Sequence, residues 1–187
     1  MATTARKIIL GIDPGTTIMG YGIIVCEKNS IKVLTHGVLL LDKLDDHFAK
    51  LNLIFTRITG LIEEYKPDEV AAESPFFGQN VQSMLKLGRA QGVALAAAMQ
   101  KNLPVFEYAP RKIKMSITGG GNATKEQLAL MMMKQGYITE MPKNLDATDG
   151  LAVALCHHYQ NKNAVAGGKS YGSWESFVSQ NNARVKK

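Results

Sequence analysis

The sequence predicts a domain of the α/β class, and three observations carry that prediction. Residues 6–41 hold three strand-like runs separated by short breaks. Residues 45–65 then repeat apolar side chains at steps of three and four, and from there to residue 159 short apolar runs alternate with helical segments. With 187 residues, 45% hydrophobic and 20% charged, the chain has enough apolar material for one domain with a real core. We place that domain at residues 1–160 and a basic tail at 161–187.

The first strand candidates are Lys7–Asp13, Gly20–Glu27 and Ile31–Leu41, the second carried by Tyr21, Ile23, Ile24 and Val25. Breaks at Pro14-Gly15-Thr16-Thr17 and Lys28-Asn29-Ser30 fit tight connections, so the three form an antiparallel meander. Gly15, Gly20 and Gly22 leave the backbone near Asp13 uncluttered, which marks either a bulge or the close approach of another element. Phe48, Leu51, Phe55, Ile58, Ile62 and Tyr65 make one stripe of a helix that covers the sheet. Pro67 and Asp68 end it, Glu69–Glu73 is a short buried strand, and Ser74-Pro75-Phe76-Phe77-Gly78 is a loop.

Residues 79–101 form a helix rich in small side chains, among them Gly88, Gly92 and Ala96 at every fourth position. That stripe faces either the chain's own sheet or a partner subunit. Leu103–Ala109 is a fifth strand, and Pro110 opens a helix as a good first-turn residue. Gly119-Gly120-Gly121-Asn122 is a loop, after which Thr124 caps a helix with Gln127 as its capping-box partner and Met131-Met132-Met133 as core filling. Asn144 caps a last helix built on Leu145–Leu155. Beyond Tyr159 the composition turns to Gln, Asn, Gly, Ser and Lys, a segment with no fold of its own.

Asp13 stands where a core strand would continue. An isolated carboxylate leaving water costs several kcal/mol unless it is paired, protonated or bound to a cation. Glu73 ends the apolar run Val70-Ala71-Ala72, and Asp146 and Asp149, three apart on the last helix, share a face with Cβ atoms about 5–6 Å apart. No Lys or Arg lies beside any of the four within these segments. Carboxylates that converge without local counter-charge suit hard divalent cations, magnesium or manganese.

The net charge of +6 is unevenly spread. Residues 1–78 hold 8 Lys/Arg against 10 Asp/Glu, residues 79–159 hold 9 against 5, and residues 160–187 hold 5 against 1. In the middle block Lys86, Arg89, Arg111, Lys112, Lys114 and Lys125 come from different elements and would line one face against a polyanion; a solvated surface accounts for them equally well. Lys125 sits in the first turn of its helix, where the dipole disfavours a cation and a bound phosphate would reverse the penalty, although surface lysines there are common. Phe76, beside Glu73, suits stacking on an unpaired base; Phe77 suits the core or the same loop, and residue type does not choose between them. Cys26 and Cys156 lie in apolar context, with no signal peptide and no apolar run near 18 residues, so a cytoplasmic protein with no membrane partner is expected. Cys156-His157-His158 lacks the spacing for zinc and reads as a helix end.

The order of these elements, with acids on the first strand, the fourth strand and the last helix, resembles the ribonuclease H-like fold, a five-stranded mixed sheet flanked by helices. Gly11-Ile12-Asp13-Pro14-Gly15 with Gly20-Tyr21-Gly22, then Leu85-Lys86-Leu87-Gly88-Arg89-Ala90-Gln91-Gly92-Val93-Ala94, then Pro104-Val105-Phe106-Glu107-Tyr108-Ala109, resemble the RuvC family of bacterial Holliday junction resolvases from about residue 7 to residue 159. The resemblance implies that Asp13, Glu73, Asp146 and Asp149 are the catalytic, metal-binding acids, that Phe76 lies near the junction centre, and that Lys114 and Lys125 contact DNA. It also implies a homodimer acting on four-way junction DNA in recombination and repair, with the branch-migration proteins RuvA and RuvB as partners. Two magnesium ions per subunit, about 3.5–4 Å apart, would activate a water and stabilise the leaving 3′ oxygen, giving 5′-phosphate and 3′-hydroxyl ends.

Two rival readings are weaker. Asp13-Pro14-Gly15-Thr16-Thr17 also resembles the first phosphate loop of actin-like ATPases and sugar kinases, but the chain is too short for the second domain that chemistry needs, and Asp146-Ala147-Thr148-Asp149 is no phosphate loop. A junction-binding protein without catalysis would have no use for all four acids.

Overall fold

Strand β1 (Lys7–Asp13) is buried along five successive residues, Ile8 to Ile12, because helices cover both faces of the sheet at its centre. The computed structural model describes residues 6–28, 30–75 and 80–165. Strands β2 (Ile18–Glu27) and β3 (Ser30–Leu40) continue from β1 as the expected antiparallel meander. Helix α1 (His47–Tyr65) then crosses to β4 (Glu69–Glu73), parallel to β1, and α2 (Val81–Gln100) crosses to β5 (Val105–Tyr108), parallel to β4. The sheet is mixed, in the order β3-β2-β1-β4-β5. Helices α3 (Pro110–Thr118), α4 (Lys125–Lys134) and α5 (Asp146–Val165) complete the chain.

Period-two alternation sorts the strand residues between two cores. Ile8, Leu10, Ile12, Val70 and Ala72 pack with Ile54, Ile58 and Ile62 of α1 and Ala90, Ala94, Ala97 and Ala98 of α2. Ile9 and Ala71 point the other way, onto Leu151 and Leu155 of α5 with Ile113 and Leu128 of α3 and α4. Asp13 shares the parity of Ile9, and Glu73 that of Ala71. Both acids are therefore delivered to the α5 face.

Several expectations change in detail. β2 begins at Ile18, two residues before Gly20, because Ile18 and Met19 pair with Leu40 and Leu39. Helix α5 continues to Val165, past the composition change at Tyr159, so Cys156-His157-His158 lies inside the helix and not at its end. Of the two readings of the α2 stripe, the one against the chain's own sheet is excluded: a Cβ at Gly88 or Gly92 would meet nothing within 4 Å, while Ala90, Ala94, Ala97 and Ala98 take the buried face. The stripe faces outward. Met132 is buried with Met131 and Met133 packed beside it, as core filling requires. Among the described residues no helix is long and apolar enough to cross a membrane. Phe76, Phe77 and the tail beyond Val165 lie outside the described residues.

Candidate active site

Glycine seats the last helix on the first strands. A methyl group at Gly20 would fall on the Asp146 carbonyl, one at Gly22 on the Leu151 backbone, and one at Gly11 on the Gly150 carbonyl and the Ala154 amide. Gly150 of α5 would in turn collide with Tyr21 of β2. Of the two meanings open for Gly15, Gly20 and Gly22, the close approach of another element is realised at Gly20 and Gly22, whereas a methyl group at Gly15 would fall on the Ile18 carbonyl just downstream. Asn144 Oδ1 accepts the Asp146 amide at 2.9 Å, and the buried Thr148 donates its hydroxyl to the Leu145 carbonyl at 2.6 Å, fixing the helix start. Asp146 and Asp149 occupy the first turn, where the dipole favours negative charge.

One carboxylate oxygen from each of Asp13, Asp146 and Asp149 lies within 4.8 Å of the others. Glu73 stands outside this trio. The β1–β4 register pairs Ile12 with Ala72, so Glu73 lies beside Asp13 on the neighbouring strand, and its charge is the leading electrostatic influence on that acid. Burial, then repulsion from Glu73, Asp149 and Asp146, pushes the Asp13 carboxyl up to about 8, with Lys125 opposing. Burial and Asp149 push Glu73 up to about 7 against Lys125 and Lys114. Asp149 is raised by burial in the first place, although Lys125 works against it.

Lys125 departs most from expectation. Its Nζ lies 2.5 Å from Asp146 Oδ1 and 2.5 Å from Asp149 Oδ2. Burial works against its charge, but the two hydrogen bonds outweigh burial and raise its pKa. Two internal carboxylates thus offset the first-turn penalty. The capping box that starts its helix is present in full, with the Gln127 amide 3.2 Å from Thr124 Oγ1 and the Thr124 amide 2.9 Å from Gln127 Oε1. Lys114 also acts on Glu73 and Asp149. Lys86 and Arg89 are exposed on α2, and Arg111 is exposed where its side chain lies across Gly121.

Two buried polar residues escaped the reading of the sequence. Gln91 lies beneath the α2 stripe and bonds the backbone of Glu73. Its signal was its place between Ala90 and Ala94 on what proved to be the buried face. His157, fully buried, engages Tyr108 Oη with Nδ1 at 2.6 Å and Glu69 Oε2 with Nε2 at 2.8 Å, so both ring nitrogens are held by protein groups. No sequence spacing signals that contact, because Glu69 and His157 are brought together only by the docking of α5.

The family model described as RuvC, crossover junction endodeoxyribonuclease, matches residues 9–157. The crossover junction endodeoxyribonuclease RuvC of Christiangramia forsetii is 56% identical over 97% of this chain and 94% of its own length. That of Cytophaga hutchinsonii is 56% identical over 98% of this chain and 90% of its own. Among solved structures, Thermus thermophilus RuvC in complex with Holliday junction substrate superposes with a TM-score of 0.77 at 29% identity, covering 84% of this chain and 96% of that one. The ribonuclease H-like architecture expected from the order of elements is the architecture present. With matched residues running from β1 into α5, and relatives identical at more than half of their positions, the chain belongs to the RuvC family of crossover junction endodeoxyribonucleases.

Proposed function

We propose that this chain resolves four-way DNA junctions by metal-dependent hydrolysis of paired phosphodiesters, leaving 5′-phosphate and 3′-hydroxyl ends. The observation that carries the reading is the convergence of Asp13, Asp146 and Asp149 beside Glu73 on a chain of this family. The donor set fits a hard cation: every ligand is a carboxylate oxygen, and burial first, then neighbouring acids, raises Asp13 and Glu73 even with Lys125 opposing. When bound, two magnesium ions per subunit, replaceable by manganese, supply Lewis-acid chemistry toward the attacking water and the leaving 3′ oxygen.

The chain's own residues do the rest. Asp13, Glu73, Asp146 and Asp149 hold the ions, and the glycine seat keeps α5 and its two acids against β1. Lys114 and Lys125 meet the phosphates flanking the cut, while Lys86, Arg89 and Arg111 extend the basic surface. Phe76 serves the junction centre by stacking on an exposed base. The catalytic unit extends past the expected boundary at 160 to the end of α5 at Val165, since Asn161 bonds Glu69, with the rest of the basic segment 161–187 as an accessory, in a cytoplasmic enzyme that works with RuvA and RuvB by family analogy.

A near two-fold junction calls for a two-fold enzyme with one acid cluster per subunit. The outward stripe of α2 supports a homodimer through that helix: Val81, Leu85 and Met99 are 66%, 53% and 57% exposed, and Gly88 and Gly92 leave open space between them. Magnesium-dependent cleavage of a synthetic four-way junction, with linear duplex as control, tests the activity. Equal cutting of both substrates would sink the assignment. A heterodimer of wild-type and Asp13→Asn subunits tests the pairing, because it should convert a supercoiled cruciform plasmid to open circle rather than linear product.

A further inference from the structure

The buried face of α2 consists of Ala90, Gln91, Ala94, Ala97 and Ala98, four methyl groups and one carboxamide. Gln91 is only 5% exposed, and a polar group so placed is expected to be hydrogen-bonded. Its Nε2 donates to Glu107 Oε1 at 2.6 Å and to the Glu73 backbone carbonyl at 3.3 Å. Both partners are pure acceptors, so the NH2 end of the amide must face them; turning it over would set oxygen against two oxygens.

The position of that carbonyl gives the bond its meaning. Glu73 is the last residue of β4, and in the last rung of the β4–β5 ladder, where it pairs with Tyr108, the Ser74 amide donates to the Tyr108 carbonyl at 2.9 Å. The Glu73–Ser74 peptide is thus held at its N–H by β5 and at its C=O by Gln91, and losing Gln91 leaves it one hold. Twisting the final peptide would swing the Glu73 carboxylate relative to Asp13. We propose that Gln91 is a positioning residue for Glu73, holding the end of β4 so that its carboxylate keeps its place beside Asp13 in the metal-binding cluster.

This inference rests on the assignment of Glu73 as a metal-holding acid. Groups that orient a metal ligand are typically worth about 10–100-fold in metal affinity or activity, and a hold exercised through the backbone should lie at the low end. A plain tether between helix and strand is the competing role. The Gln91–Glu107 bond would supply that tether without involving Glu73.

The full-length dimer separates the two roles. Gln91→Met loses both bonds at nearly constant volume and should lower kcat on a junction about tenfold with KM changed less than twofold. Manganese affinity of the DNA-free protein, followed by paramagnetic resonance, should weaken about tenfold in parallel. Glu107→Ala removes the tether alone from an exposed site, so it should retain kcat and manganese affinity within about twofold. An effect of Glu107→Ala equal to that of Gln91→Met, or a loss of melting temperature with kcat and manganese affinity unchanged, overturns the proposal. Glu73→Gln is the control on the underlying assignment: if it cleaves normally, the metal role of Glu73 fails; if it is inactive while Gln91→Met is unimpaired, only the positioning role fails.

Discussion

Glu69 and Glu73 open and close the same five-residue strand on the same face of the sheet, yet they are opposites in charge economy. Burial acts to raise Glu69, but Lys7 at 2.7 Å and His157 at 2.8 Å outweigh it, and its carboxyl is held below the ordinary value. Glu73, two pairs of residues along, faces Asp149 and Asp13 and is pushed up to about 7. At one end of β4 the protein has completed its own electrostatics, with Asn161 adding a further donor to Glu69 at 3.3 Å. At the other end Lys125 pairs with Asp146 and Asp149, yet burial and the neighbouring acids still leave Glu73 and Asp13 raised. A buried acid brought below its ordinary value by its own partners reads as architecture, whereas clustered acids that stay raised despite a lysine read as a binding site.

The sharpest break of this comparison is mutational. Asp13→Asn, Glu73→Gln, Asp146→Asn and Asp149→Asn should each reduce cleavage by about three orders of magnitude or more while junction binding in EDTA, read by gel shift, stays within a few-fold. That factor corresponds to roughly 4 kcal/mol in the transition state. Glu69→Ala should do the reverse, costing about 1–3 kcal/mol of stability by removing the carboxylate at Nε2 of the buried His157 while cleavage at low temperature is retained. If Glu69→Ala abolished cleavage in a folded protein, the division between the two ends would be wrong.

Titration sharpens the same contrast, with opposite signs at the two ends. Asp13 and Glu73 have folded pKa values of about 8 and about 7, above their ordinary 3.8 and 4.5. The folded, metal-free protein therefore binds protons that the unfolded chain does not, and its stability falls as pH rises from about 4.5 to about 8. Glu69 is lowered, so its contribution is present above the ordinary glutamate value and lost as pH falls through the folded one. Melting temperature in EDTA should peak near pH 5, and magnesium should flatten the upper limb. Each kcal/mol is about 2–4 °C for a chain of this size. An upper limb that Asp13→Asn leaves unchanged would place the proton elsewhere.

Lys125 gives a smaller effect. Bound to Asp146 and Asp149, it is not free for a phosphate; with a divalent cation on those acids it is. Lys125→Ala should reduce the slope of log affinity against log salt by about one unit in calcium and by much less in EDTA, whereas Lys114→Ala should reduce it in both. Equal effects of Lys125→Ala in the two buffers would mean that its contact with DNA does not depend on the acids. The smallest effect is that of Thr124→Ala, which removes half of the capping box and should cost about 1 kcal/mol of stability with cleavage nearly unchanged.

What could be read in advance follows from where the information lies. β1 and β4 were found with their observed ends, Lys7–Asp13 and Glu69–Glu73, because each is an apolar run closed by charge, and Thr124 with Gln127 marked a helix start through local chemistry alone. The acids were legible because burial makes a carboxylate conspicuous. The start of β2 was not, since Gly20 and Gly22 weaken its strand signal for a reason supplied only by α5. Nor could small residues on both faces of α2 say which face is inward. The pairing of Lys125 with Asp146 and Asp149 escaped because those acids lie 21 and 24 positions away and depend on how α4 packs beside α5.

The glycine seat also sets a timetable. Asp13 belongs to the first strand and Asp146 to the last helix, so a chain emerging from the ribosome carries one acid of the cluster from the beginning and cannot assemble it until α5 has been made. Until then Ile9 and Ile24 lack their cover, because the residues that bury them lie in the C-terminal half. Contacts of such long range are slow to form. On the proposed role of these acids the nuclease is born inert: every nascent or prematurely terminated chain lacking α5 is without Asp146 and Asp149, and such fragments endanger the cell through exposed apolar surface rather than through unlicensed cutting of DNA.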